Sequence, residues 1–331
     1  KAARYGDIIA ERTGLGRVRV GLMLLAVISS MPEMVTGISS VTLLDTSDFG
    51  PDFGPDFGVG TLLGSTLFNL TILVVLDVLS RDGPVLSKAS LSHLPLAGMG
   101  ILLMAGAGFS VRFAGAFDGA VLGWVGIPTL VMMVVYLAGI WFIMRRGGAE
   151  TEVDSATVAV AGEPARVDGG PVWRVWAKLA VSAVAIIAAG IFLPYVANDI
   201  AAVTGWGASF VGSLLLAIAT SMPELVIAIA AFRIGAIDLA VADILGANML
   251  DVAHLFTIDL FFTAGPVLSS VSGSHAITAV IVTAMTAIVA AGIWLRPRRK
   301  TFRVVSWYAV LLLGLYLYGA YALFSAGPGT G

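Results

Sequence analysis

Along the chain, apolar residues run in long unbroken stretches rather than alternating with polar ones. Stretches near 18–45, 58–80, 94–113, 119–144, 174–198, 206–232, 239–264, 274–295 and 303–325 are each long enough for a spanning helix, which needs about 20 mostly apolar residues. Barrel strands would instead be segments of about ten residues with period-two patterning. Composition agrees: 58% hydrophobic, 12% charged and a mean hydropathy of +0.95 lie far from the balance of a water-soluble domain. The fold class expected is therefore an all-α membrane protein. With no cysteine there is no disulfide framework and no thiolate metal site, and a net charge of −2 points to no nucleic-acid partner.

Lys and Arg set the expected topology, because loops on the cytoplasmic side carry the positive excess. If successive loops alternate sides, every Lys and Arg except Arg112 falls on one side: the leading segment, 81–93, 145–178, Arg233 and 296–303. That side is read as cytoplasmic, with the carboxyl terminus outside and the chain in a cell (inner) membrane. The polar stretch GGAETEVDSATVAVAGEPARVDGG lies within 145–173 and reads as a flexible linker between two halves. The expected organisation is a first repeat over 1–144, a linker over 145–173 and a second repeat over 174–331.

The halves repeat each other. A shift of 191 residues lays VGLMLLAVISSMPEMVTGI over VGSLLLAIATSMPELVIAI, pairing Glu33 with Glu224 and Pro32 with Pro223. A shift of 182 lays LLGSTLFNL (62–70) over ILGANMLDV (244–252), pairing Asn69 with Asp251, and further on Asp77 with Asp259. Counting spans, the helix through Glu33 and the helix through Glu224 cross in opposite directions, so the repeats are expected to be inverted, as in many secondary transporters. The 191 shift also lays IIAERTGLG (8–16) over DIAAVTGWG (199–207), leaving the body of the 174–198 helix without a counterpart. The expectation is five plus five helices, the first of them upstream of Lys1.

Two glutamates in membrane-spanning runs need a cause. Counted from Arg19 and Arg233, Glu33 and Glu224 lie about 21 and 14 Å deep at ~1.5 Å per residue. A charge at that depth costs several kcal/mol unless it is paired or faces water, so intramembrane acids are functional candidates. Each follows a proline, which removes an N–H and frees a carbonyl four residues earlier, at Ile28 or Ala219. Ser29, Ser30, Thr220 and Ser221 add hydroxyls beside them. Six to eight oxygens and no sulfur suit Ca2+.

In combination, SSMPE with GSTLFN and ATSMPE with GANMLD resemble the two α-repeats of the cation/calcium exchanger superfamily, close to its sodium/calcium branch. The resemblance implies that Glu33 and Glu224 are central calcium ligands, with Asn69 and Asp251 beside them. It further implies carbonyl or hydroxyl ligands from Ser29 and Thr220, hydroxyls from Ser30, Ser221 and Ser65, and backbone carbonyls from Ala26 and Ala217 to sodium. Two positions depart from the family's usual GSNxFN or GSNxFD: Thr66 replaces an Asn and Ala247 a Ser. The missing hydroxyl at Ala247 bears on one sodium site.

Other features are read more plainly. DFGPDFGPDFG (48–58) is expected to be a turn in an external loop, or an acidic vestibule formed by Asp45, Asp48, Asp52 and Asp56. Asp77 and Asp259 are placed at the membrane interface, and Asp243, eight residues before Asp251, is read as able to share its face, with entrance or structural roles weighed equally. His254, one turn after Asp251, is read as packed, with proton transfer as the sharper alternative. No nucleophile and base pair appears, so the chain is read as a transporter and not an enzyme, with no cofactor. The function read from these features is exchange of Ca2+ for Na+ by alternating access. Exchange of Ca2+ for H+ is the alternative, and a cation channel or non-transporting scaffold the alternative of another class.

Overall fold

The computed structural model describes residues 26–44, 53–117, 119–146 and 172–326. The leading basic segment, the 8–16 overlay, Asp45, Asp48 and Asp52, and all but the ends of the 145–173 connection lie outside them. Every apolar run found in the sequence contains a described helix. In the first half these are α1 (Ala26–Ser29), α2 (Met31–Thr42), α3 (Phe53–Leu79), α4 (His93–Arg112) and α5 (Ile127–Arg146). A two-stranded antiparallel hairpin, β1 (Val121–Leu122) and β2 (Val125–Gly126), precedes α5. The second half holds α6 (Val172–Thr204), then α7 (Ala208–Phe210), which continues through a π-helical stretch (Val211–Leu216) into α8 (Ala217–Thr220). It ends with α9 (Met222–Arg233), α10 (Ile237–Phe261), α11 (Ser274–Leu295) and α12 (Trp307–Ser325). Six described helices are long and apolar enough to cross a membrane, and the bent α7–α9 series makes a seventh.

The chain is an all-α membrane protein of two inverted repeats, with α3 and α10 at its centre. Both are sheathed by other helices along most of their length, whereas residues 184–204 of α6 and the helix α12 leave most of their surface bare. Val131, Val134, Leu137 and Trp141 of α5, and Leu317 and Tyr321 of α12, form outward apolar faces. In lipid such surfaces need no cover.

Matching clasps tie the repeats together. Asp56, in the first turn of α3, accepts the Ser272 N–H at 2.7 Å and lies 2.9 Å from His275 Nε2. Asp238, in the first turn of α10, accepts the Ser90 N–H at 2.7 Å and lies 2.8 Å from His93 Nε2. These pairs obey the 182-residue shift, and each joins one repeat to the other. They correct the expectation for FGPDFG at 53–58: it is the start of α3, not a turn, and Asp56 is held by its clasp.

Asp77 and Asp259 are likewise held at the far ends of α3 and α10. Asp77 accepts from the Val85 N–H at 3.1 Å, the Ser306 N–H at 2.8 Å and the Tyr308 hydroxyl. Asp259 accepts from the Val267 N–H at 2.7 Å, the Gly126 N–H at 2.8 Å and the Thr129 hydroxyl. Each carboxylate satisfies the backbone of the loop that leaves its helix.

Candidate ion site at the broken helices

Both SMPE segments break their helix at the serine. Ser30 (φ −81°, ψ 5°) and Ser221 (φ −85°, ψ 11°) leave the helical region, and the proline falls in the first turn of the helix that follows, where its missing N–H is tolerated. In the second repeat the two pieces meet at 43°. Glu33 and Glu224 are thereby placed in the first turns of α2 and α9, where free N–H groups and the helix dipole favour negative charge.

Close packing carries the break into the core. Gly60 and Gly64 of α3 lie against the π-helical stretch, so that a Cβ at Gly64 would sit 2.1 Å from the Ser213 carbonyl oxygen. A Cβ on Gly212 would in turn sit 3.0 Å from the Phe57 carbonyl oxygen. These glycines let the backbones approach closely enough for the polar stripe of α3 to reach the second repeat's break.

Around the breaks, most predicted site residues come together. Ser221 donates to Glu33 Oε1 at 2.8 Å and Ser65 donates to the same oxygen at 3.3 Å. Ser65 Oγ also lies 3.3 Å from Thr220 Oγ1. Glu224 is within electrostatic reach of Glu33, Asp243 and Asp251. Ser29 lies against Asp243 and Ser30 against Asp251, without closing a hydrogen bond in either case. Ala26 and Ala217 occupy matching places: their carbonyls accept the Ser29 and Thr220 hydroxyls, both at 3.3 Å, and the Ser30 and Ser221 N–H groups, both at 3.0 Å. Those two carbonyls are thus engaged within their own helices.

The remaining oxygens are not engaged. Glu33 Oε2, both oxygens of Glu224, Asp243 and Asp251, and the Asn69 side-chain amide are fully buried and have no hydrogen-bond partner. Buried polar groups in folded proteins are almost always paired, so this concentration marks a functional feature. Among the described residues no three acidic or histidine side chains converge on one point closely enough to hold a metal ion. An ion in this arrangement would draw on hydroxyl and amide oxygens as well as the acids.

Sequence reasoning had weighed Asp243 between sharing the face of Asp251 and an entrance or structural role, and the structure places it against Ser29 and within electrostatic reach of Glu224. Asp243, Ala247 and Asp251 follow one another at one-turn spacing on α10, and the 182-residue shift matches them to Thr61, Ser65 and Asn69 on α3. The signal lay in that spacing, but Thr61, the partner of Asp243, is not acidic. Of the two departures from the family pattern, Thr66 accepts at its carbonyl from the amide of its repeat mate Asn248 at 3.2 Å and turns its hydroxyl to its own helix at Leu63, while Ala247 is fully buried. His254 is nearly buried, and its Nδ1 has no partner.

Comparison with known proteins agrees with this geometry. A family model described as sodium/calcium exchanger protein matches residues 3–142 and 174–325. The inner membrane protein YrbG of Escherichia coli (strain K12) is 27% identical over 264 residues, covering 79% of this chain and 74% of that protein. The putative antiporter CaxA of Alkalimonas amylolytica is 23% identical over 329 residues, 97% of this chain and 93% of that one. Among solved structures, the sodium-calcium exchanger NCX_Mj soaked with 10 mM Na+ and 10 mM Sr2+ superimposes with a TM-score of 0.61 at 15% identity, over 96% of this chain and 92% of that one. Native YfkE does so with a TM-score of 0.58 at 18% identity, over 96% and 89%. These two share the fold. The chain therefore belongs to the sodium/calcium exchanger protein family, as a multi-pass membrane antiporter of cations.

Proposed function

We propose that the protein exchanges Ca2+ for Na+ across the membrane, the two repeats alternating access to the site at the broken helices. The observation that carries this reading is the set of partnerless buried oxygens on Glu33, Glu224, Asp251 and Asn69, where the two repeats meet. Such oxygens are hard ligands suited to Ca2+ and Na+, and the chain has no cysteine to offer a thiolate. In the proposed arrangement Glu33 and Glu224 are the central Ca2+ ligands, with Asn69 and Asp251 beside them. Ser29, Ser30, Thr220, Ser221 and Ser65 add oxygens, and the Ala26 and Ala217 carbonyls serve Na+ once freed from their hydroxyl bonds. The repeats span 1–144 and 174–331, with 145–173 joining them in the cytoplasm and the carboxyl terminus outside.

Charge supports unequal exchange. Glu33, Glu224 and Asp251 supply three negative charges when ionised, which one Ca2+ leaves at −1 and three Na+ neutralise. Moving a net charge across the membrane is worth about 2.3 kcal/mol per 100 mV. The test is 45Ca2+ uptake into proteoliposomes under separately imposed Na+ and H+ gradients. An outward Na+ gradient at fixed pH is expected to drive uptake, and an imposed potential to alter it. Uptake driven by a pH gradient alone, with no effect of Na+ and with His254→Gln inactive, would establish Ca2+/H+ exchange instead. Flux that needs no counter-ion would make the protein a channel.

A further inference from the structure

The 182-residue shift sets Ala247 in the place that Ser65 holds in the first repeat. Ser65 uses its hydroxyl twice, on Glu33 and toward Thr220. By the same symmetry Ala247 belongs opposite Ser29, the mate of Thr220, and a methyl group has nothing to offer it. One turn earlier on the same face of α10 stands Asp243. It is fully buried, both of its oxygens lack a hydrogen-bond partner, and it lies against Ser29. Its counterpart Thr61 is turned to other use, its hydroxyl donating to the Phe57 carbonyl at 2.8 Å. Among the described residues no cation is bonded to Asp243, so a carboxylate has been set into the membrane interior unpaired, in the half-site that lacks a hydroxyl.

We propose that Asp243 and Ser29 form a monovalent-cation subsite beside Glu224, in which the Asp243 carboxylate does the work that a hydroxyl at position 247 would otherwise do. One carboxylate with neutral oxygens around it balances a single positive charge, which suits Na+ rather than a second Ca2+. An anionic ligand also holds that cation more tightly than the hydroxyl it stands in for. The second repeat's subsite is therefore charged, and the loss of the serine strengthens Na+ binding there instead of abolishing it. This inference rests on the Na+-exchange reading above, but it is tested by binding rather than by flux.

The experiment measures thermal stabilisation of the full chain in detergent, by NaCl in Ca2+-free buffer and separately by CaCl2 in Na+-free buffer with N-methylglucamine balancing ionic strength. Asp243→Asn keeps the side-chain shape and is expected to raise the Na+ midpoint by at least about tenfold, because it removes the only charged ligand of that subsite. The Ca2+ midpoint should move less than about threefold, since Glu33 and Glu224 remain. Asp243→Ala combined with Ala247→Ser should recover part of the Na+ response, whereas Asp243→Ala alone should not. An unchanged Na+ midpoint in Asp243→Asn, or Na+ and Ca2+ midpoints that shift together, would overturn the subsite. Should the Asp243 variants not fold, Ser29→Ala decides: a Na+ midpoint raised more than the Ca2+ midpoint supports the proposal, and no shift, or equal shifts in both, overturns it. Na+ stabilisation of the wild-type protein without Na+-driven flux would keep the subsite and remove the exchange reading. Na+-driven flux with an unaltered Asp243→Asn midpoint would do the reverse.

Discussion

The two central helices carry the same polar stripe in different chemistry. On α3 it reads Thr61, Ser65, Asn69, and on α10 it reads Asp243, Ala247, Asp251; all six residues are fully buried. The α3 stripe is neutral and partly satisfies itself, Thr61 bonding its own helix and Ser65 bridging Glu33 and Thr220. The α10 stripe carries two carboxylates, and none of their four oxygens has a partner. Likewise Glu33 receives two hydroxyls, while Glu224 receives none. Duplication has thus preserved an oxygen-bearing side chain at two of the three stripe positions, Ala247 being the exception, and divergence has decided which of them are charged. The first repeat contributes the neutral stripe and Glu33, and the second contributes three of the four buried carboxylates at the breaks.

The most severe way to break this comparison is to neutralise its glutamates. Glu33→Gln and Glu224→Gln should each lower Ca2+ flux by about 100-fold or more, since each removes a charged ligand from a low-dielectric site with few replacements. The folded protein should still extract normally, because the amide fills the same space. The expected difference lies in stability: Glu33→Gln weakens the charge-assisted bonds from Ser65 and Ser221, so its ion-free melting temperature should change more than that of Glu224→Gln. Ca2+ exchange at near wild-type rates in both variants would remove the site assignment.

Next in size is the packing that brings the stripes together. Gly64→Ala places a methyl group 2.1 Å from the Ser213 carbonyl oxygen, where two backbones meet. Overpacking of this kind typically costs about 1–3 kcal/mol, so the melting temperature and the flux should fall together. Gly98→Ala on α4 is the control, because a Cβ there meets nothing within 4 Å and alanine favours helix. A Gly64→Ala protein as stable as wild type would show that the crossing has slack.

Ser65→Ala makes the first repeat's stripe resemble the second's. It removes a hydroxyl shared between Glu33 and Thr220, and one such buried hydrogen bond is worth about 1 kcal/mol. An approximately fivefold weaker Ca2+ dependence of flux is the expected size by the same conversion. No change in Ca2+ dependence would mean that Ser221 alone positions Glu33.

Much of this arrangement was legible in the chain because membrane burial writes strong signals. Each apolar run contains a helix, and the Ser-Met-Pro-Glu repeats mark both breaks, since proline beside a deep acid has few uses in lipid. What escaped depended on partners far away in sequence. FGPDFG read as a turn because glycine, proline and aspartate favour turns locally, yet Asp56 is anchored by Ser272 and His275 and the helix starts at Phe53. The 119–144 run hid the β1–β2 hairpin, whose residues are as apolar as the helix it precedes. Asp243 was underweighted because symmetry is most visible where residues are identical, and opposite Asp243 stands a threonine. Its meaning appears only once α10 is wound and Ser29 is brought beside it.

The smallest effect sharpens the comparison most. If the stripes are equivalent in placement but not in charge, then removing the hydroxyl of Thr61 should matter far less than removing the charge of its mate Asp243. Thr61→Val keeps the β-branched shape and deletes only the oxygen, which donates to the Phe57 carbonyl one turn earlier. That carbonyl lies within α3, where hydroxyl bonds of this kind are a local alternative and contribute little to the helix. Na+-dependent and Ca2+-dependent flux should both stay within about twofold of wild type, a change of less than ~0.5 kcal/mol. A loss as large as that of Asp243→Asn, measured in the same proteoliposomes, would show that the two helices bind ions symmetrically and that the charge on α10 is not what sets the repeats apart.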